Sequence, residues 1–232
     1  MHKHKFFLLL VLSCRLVSIV QGQKLEFGIS AGGGLAGGHF QATDGNIDFK
    51  SSSIPAWALG TALRWRVNDK FSVIPGLRLG GKGGFVQFDS VNIEALVMNK
   101  TTHRLSYLAL PVGFYCQFKH LFIGGGFYVS AALAGNAKRE KTLVDATGFT
   151  ETVVLKEAIS FDKNDRTAYL RAARFDYGLQ GELGYDLKGY RLSLCYEQGL
   201  ANALPAFNGL ASTFRHRVVT LSFAYFFRNA KI

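Results

Sequence analysis

Beyond its N-terminal stretch the chain has no apolar run long enough to cross a bilayer as a helix, which takes about 20 residues. A helical membrane architecture is therefore excluded. Cysteine is scarce: Cys14 lies in the N-terminal stretch, leaving Cys116 and Cys195, too few for a disulfide scaffold. The strand pattern described below puts those two on opposite faces, so two free thiols are expected. No C-x-x-C pair or His-rich spacing is present, so neither a metal nor a cofactor is expected. Acidic residues are few, 16 Asp+Glu against 27 Lys+Arg.

The chain begins Met1-His2-Lys3-His4-Lys5 and continues apolar from Phe6 to Leu12 and from Leu16 to Val20, ending on Val20-Gln21-Gly22. A basic start, a short apolar run and a small-residue exit form a secretory leader. Val11-Leu12-Ser13-Cys14 loosely matches a lipoprotein signal, but Arg15 follows at once. The expected division is a cleaved leader over 1–22 and one domain over 23–232. Cleavage would remove Lys3, Lys5 and Arg15, leaving 24 Lys+Arg and a net charge of +8. An exported chain without basic runs at nucleic-acid motif spacing points away from nucleic acid. The charge suits phosphorylated lipid headgroups.

Period-two alternation dominates the remainder, the signature of half-buried strands. Between Ala56 and Arg66, Trp57, Leu59, Thr61, Leu63 and Trp65 share one face, opposite Ala56, Ala58, Gly60, Ala62, Arg64 and Arg66. The same alternation predicts eight strands, over 24–35, 56–66, 71–82, 105–118, 121–134, 174–187, 190–200 and 215–227. Three connections are tight (67–70, 119–120 and 188–189) and four are long (36–55, 83–104, 135–173 and 201–214). Short turns alternating with long loops mark an antiparallel up-and-down transmembrane β-barrel of the outer membrane. Pro75 and Pro111 cannot donate to a ladder, so a bulge or ladder end is expected near each.

The main competitor is a soluble lipocalin-like barrel with its apolar face inward. An eight-stranded barrel has room inside only for packed side chains or one small ligand. The face of small and charged residues suits that space better than a face carrying both tryptophans. Lumenal ion pairs are therefore expected between Arg64, Arg78, Lys82 or Arg191 and Asp176, Glu182 or Glu197, since buried charges must pair. The aromatics Trp57, Trp65, Phe71, Tyr185, Tyr190, Tyr225 and Phe227 lie near strand ends, where membrane-interface belts sit.

Several segments resemble the PorT-like outer-membrane β-barrel family of Bacteroidetes. They are Val73–Leu77 before Gly80–Gly83, Leu105–Pro111, Leu121–Phe127, Tyr196–Asn202 and Arg215–Phe227. The Tyr107-Leu108-Ala109-Leu110-Pro111 element followed by a glycine-rich strand is the most specific. Ala109 stands where members often carry an acidic residue. Thr220, Ser222, Tyr225 and Phe227 resemble the C-terminal signal read by the barrel-assembly machinery, although Ser222 replaces a usual glycine and five residues follow Phe227. The resemblance implies a barrel without a shared activity, and its namesake is tied to type IX protein secretion.

No catalytic spacing is evident, so the expectation is a non-enzymatic envelope protein with a structural or loop-presenting role. Its expected partners are outer-membrane lipid, the assembly machinery, and an envelope or secretion protein reached through the four long loops. A lipid-modifying enzyme is the alternative that would use His39, His103 or His216, read as lying in loops or near a strand mouth.

Overall fold

A computed structural model describes residues 25–42, 49–92, 95–145, 147–162, 164–165, 167–207 and 210–227. The leader assigned to 1–22, the start of the first strand at Lys24 and the tail after Phe227 lie outside the described residues. The elements are β1 (Leu25–Ala42), β2 (Phe49–Ser52), β3 (Ile54–Arg66), β4 (Phe71–Asn92), β5 (Ala95–Phe118), β6 (Leu121–Asp145), β7 (Thr150–Ala158), β8 (Leu170–Arg171), β9 (Phe175–Leu187), β10 (Tyr190–Gly199), β11 (Ala206–Phe207) and β12 (Leu210–Phe227). Eight of them, β1, β3, β4, β5, β6, β9, β10 and β12, pair antiparallel in that order. Sixteen residue pairs then join β12 back to β1, from Phe27–Phe227 to Ala42–Ser212, and close the barrel. Closure leaves no unpaired edge in hydrocarbon, where each unsatisfied backbone group costs several kcal/mol.

The tight turns have a local chemical origin. Lys188 and Gly189 both take positive φ, 52° and 96°, which matches the twist of a two-residue hairpin. Asn68 folds the first turn by accepting hydrogen bonds from the Lys70 and Phe71 amides, both at 2.8 Å. These turns lie at the same end of the barrel as Leu25 and Phe227.

Along the barrel wall, large apolar side chains point outward and are exposed, among them Ile123, Leu179, Leu192, Leu221 and Phe223, while Arg64, Asp176 and Glu197 are buried inside. This overturns the lipocalin-like alternative. Above the wall the polarity inverts. On β12 the odd positions Val219, Leu221 and Phe223 face outward, whereas higher up Phe214 and His216 turn inward and Arg215 and Arg217 are exposed. On β4, outward Leu77 and Leu79 give way to buried Val86 and Phe88. Lipid surrounds the lower part, so apolar groups face out; water surrounds the upper part, so they face in.

The inversion accounts for the strand ends the sequence reading placed too early. Of residues 83–104, expected as a loop, 83–92 and 95–104 extend β4 and β5 and pair from Gly83–Arg104 to Asn92–Ala95. Much of 135–173 is strand as well: β6 runs to Asp145, and β7 pairs with it from Asn136–Ala158 to Val144–Thr150. With β2 paired to the outer part of β4, strands β2, β4, β5, β6 and β7 continue above the barrel as an antiparallel sheet.

Both prolines sit at ladder gaps without loss of register. The β3–β4 pairing lapses between Ala62–Gly76 and Trp65–Val73, and the β4–β5 pairing lapses between Pro75–Val112 and Arg78–Ala109. The register shift lies elsewhere: Ser106 pairs with Ala134 and Tyr107 with Ala132, so Leu133 is the extra residue of a bulge.

Candidate functional site

The inward face consists of glycine, alanine and serine interrupted by long charged side chains. Small residues are required where an adjacent strand crowds the inward position. A methyl group at Gly28 would lie 2.7 Å from the Phe226 ring, and one at Gly80 would lie 2.9 Å from the Trp57 carbonyl.

Near the short-turn end, Arg64 on β3 reaches Asp186 on β9 at 2.6 Å and Glu26 on β1 at 3.2 Å, with its guanidinium 3.7 Å from the Phe226 ring centre. Arg66 also contacts Glu26, at 3.2 Å. Alongside, Tyr115 donates to Glu182 at 2.5 Å, and Arg191 lies 3.5 Å from Glu182 and 3.5 Å above the Phe122 ring. A cavity of about 100 Å³ follows, bounded by Ser30, Gly60, Gln180, Cys195 and Ser222. It has room for a handful of waters at most. Next, Glu197 binds Arg78 at 2.5 Å and Lys82 at 3.0 Å. Lys82 also meets Asp176 at 3.4 Å and sits 4.0 Å over the Tyr128 ring, whose hydroxyl donates to Asp176 at 3.2 Å.

The residues named from sequence thus fall into two separate layers. Arg64 does not join Asp176, Glu182 or Glu197; its partners Glu26 and Asp186 were not among the expected acids. Both occupy inward phase positions, which is the signal that could have found them. The aromatic members Tyr107, Tyr115, Tyr128 and Phe122 carry no such signal, because Tyr and Phe are equally at home on the lipid face.

Above the charged layers the mouth is filled by an apolar cluster that includes Phe40, Val86, Phe88, Leu105, Phe214 and Leu204. Ile159, Leu170 and Ala172 from the chain after β7, and Ala203 from the chain after β10, complete it. His103 and His216 border this cluster fully buried, each edge-on to the Phe214 ring, and His216 Nε2 lies 3.3 Å from the Tyr107 hydroxyl. His103 is therefore a lumenal strand residue rather than a loop residue, and His39 is exposed on β1.

Six of the seven named aromatics gather at the short-turn end. Tyr190 packs at a tilt against Tyr225 at 4.8 Å, Tyr225 meets Phe227 edge-on at 4.9 Å, and Trp65 pairs with Leu25 in register. Phe71 and Tyr185 are exposed at the same end. Trp57 sits at the other end, opposite Gly33 and Gly81. Of the C-terminal residues, Thr220 and Ser222 lie on the lumenal face, and Tyr225 and Phe227 lie on the outer face of β12. Cys195 is buried on the lumenal side and Cys116 is half-buried on the outer face; both are free thiols.

A closed eight-stranded barrel with an apolar exterior and charged interior defines an outer-membrane protein. The chain belongs to the outer membrane protein beta-barrel domain family, whose model matches residues 20–204. It resides in the outer membrane with its apolar wall against lipid. No curated protein matches it in sequence. Among solved structures it is similar to Ail, the attachment invasion locus protein of Yersinia pestis, at 12% identity and a TM-score of 0.41, over 88% of this chain and 99% of that one. It is also similar to the outer membrane protein OprG from Pseudomonas aeruginosa, at 15% identity and a TM-score of 0.37, over 90% and 99% of the two chains. For Neisserial surface protein A the values are 11% and 0.40, over 87% and 97%.

Proposed function

We propose that this protein is a non-enzymatic outer-membrane barrel that presents its extracellular sheet to a protein partner, which adds to the sheet as a strand. The observation that carries this reading is β7. Among the described residues it pairs only with β6, and Val153, Val154 and Leu155 are exposed along it. A strand with one unpaired edge offers a row of amides and carbonyls to an extended peptide. The lumen supports a structural role, since two charged layers and an apolar plug fill it. The aromatic groups at the two ends act as interface anchors, and the end of β12 acts as the assembly signal.

Photo-crosslinking from Thr152 on intact cells should give a discrete protein adduct. Either Val153→Pro or Val154→Pro should abolish it, because successive amides point to opposite edges of a strand and proline removes one. The reading fails if no adduct forms, or if neither substitution changes it while the barrel keeps its mobility difference between boiled and unboiled gel samples.

The PorT-like resemblance supports a second reading, a component of a protein-secretion assembly. The segments that carry it, Leu105–Pro111 and Leu121–Phe127, lie on the neighbouring strands β5 and β6, which rise into the extracellular sheet. Normal secretion in a strain lacking the protein would remove this reading.

A further inference from the structure

The outer wall carries a groove of about 460 Å³ near the level where its polarity inverts. Its position follows from two irregularities. Among the described residues the β3–β4 pairing ends at Trp57–Gly81, although β3 itself extends to Ile54. Two strands further round, the Leu133 bulge shifts the β5–β6 register, placing Ala134 opposite Ser106. The row Trp57, Gly81, Ser106, Ala134 therefore crosses four strands with only one large side chain. The Trp57 indole lies over Gly81, where a methyl group would be 2.6 Å from its Nε1. The row above it on β5 and β6 is Arg104 and Asn136, which are cross-strand partners and exposed. Below, Leu79, Leu108 and Leu133 are exposed to lipid.

We infer that this groove is a binding site for the phosphorylated headgroup of an outer-leaflet lipid. Its size falls within the range of ligand pockets, about 300–1,000 Å³. No carboxylate lines it, and Arg104 has no ion-pair partner among the described residues. The guanidinium, the Asn136 amide, the Ser106 hydroxyl and the Trp57 indole N–H all supply donors at the headgroup level. A planar guanidinium binds phosphate oxygens in pairs, which favours phosphate over an uncharged sugar. The leucines beneath receive the acyl chains. Charge and polarity together thus select an anionic lipid rather than a soluble anion. The assignment is independent of the β7 partner.

Native mass spectrometry of the full-length protein in detergent tests it, with a diphosphorylated glucosamine lipid and the same lipid without phosphates as probes. Wild type should retain one phosphorylated lipid, roughly ten-fold more than the dephosphorylated form, as expected for a charge-assisted contact. Arg104→Gln and the groove-filling Ser106→Phe should each lower retention about five-fold or more on the same grounds. Arg217→Gln, on β12 and four strands away around the ring, should leave retention unchanged. Equal retention of the two lipids overturns the inference. So does an equal loss with Arg217→Gln, which would mean diffuse attraction to a basic rim, or unchanged retention in both groove variants. Folding of every variant is checked by the gel shift on boiling.

Discussion

Arg64 spans the lumen to Asp186, with its Nη2 2.6 Å from the carboxylate. Their strands, β3 and β9, stand four apart in a ring of eight and therefore face each other. The same relation holds for Arg78 on β4 and Glu197 on β10, and for Tyr107 on β5 and His216 on β12. Backbone hydrogen bonds join each strand to its neighbours, whereas these side chains tie opposite walls together at three heights.

Removing the Arg64 guanidinium leaves Asp186 buried without its ion-pair partner and leaves Glu26 with Arg66 alone. Breaking a buried ion pair from one side costs about 3–5 kcal/mol. Arg64→Met should therefore lower the urea midpoint of the detergent-solubilised protein markedly. Adding Asp186→Asn should recover much of the loss, because the uncompensated carboxylate is then gone while Glu26 keeps Arg66. An unchanged midpoint in the single variant would show that the cross-lumen tie contributes nothing.

Phe214 is fully buried where the plug meets the two histidines. Phe214→Ala should destabilise the protein by about 3–5 kcal/mol, the usual range for a core phenylalanine. Planar-bilayer conductance should nevertheless stay at baseline, because the Arg78–Glu197–Lys82 layer still blocks the lumen beneath. A steady current through the variant would place the seal in the plug alone.

Asp165, in the extracellular chain between β7 and β8, has its carboxyl held below the usual carboxylate range, chiefly by the Thr167 hydroxyl at 2.7 Å. The Thr167 and Ala168 amides also donate to it, at 3.0 and 3.1 Å. A carboxyl with a depressed folded pKa contributes order above its unfolded value and loses it as pH falls through the folded one. The amide resonances of Thr167 and Ala168 should therefore titrate together with a midpoint below 3.8, and Asp165→Asn should remove that titration. A midpoint at or above 3.8 would contradict the turn.

The inward positions of Arg64, Arg78, Lys82, Asp176, Glu182, Arg191 and Glu197 are legible in sequence because strand phase is a local property. Their partners are not, because pairing depends on which strands face each other once the ring closes. Arg64 illustrates the difference: alternation assigns its face, while its acids come from β1 and β9. The β4–β5 hairpin was obscured for another reason. Its apolar residues change phase above the wall, so Val86 and Phe88 break the pattern set by Leu77 and Leu79. The bulge at Leu133 has no local marker at all.

By itself the sequence determined the number of strands in the barrel wall, the three tight turns and the direction in which the apolar face points, since each follows from period-two alternation, from turn residues such as Lys188-Gly189, and from side-chain volume. Tertiary structure alone decided the cross-lumen partners, the height of the strands and the plug at the mouth. Those features join residues distant in the chain, such as Phe40, Val86, Leu170 and Phe214, and they arise only where closure of the barrel brings their strands and loops within contact distance.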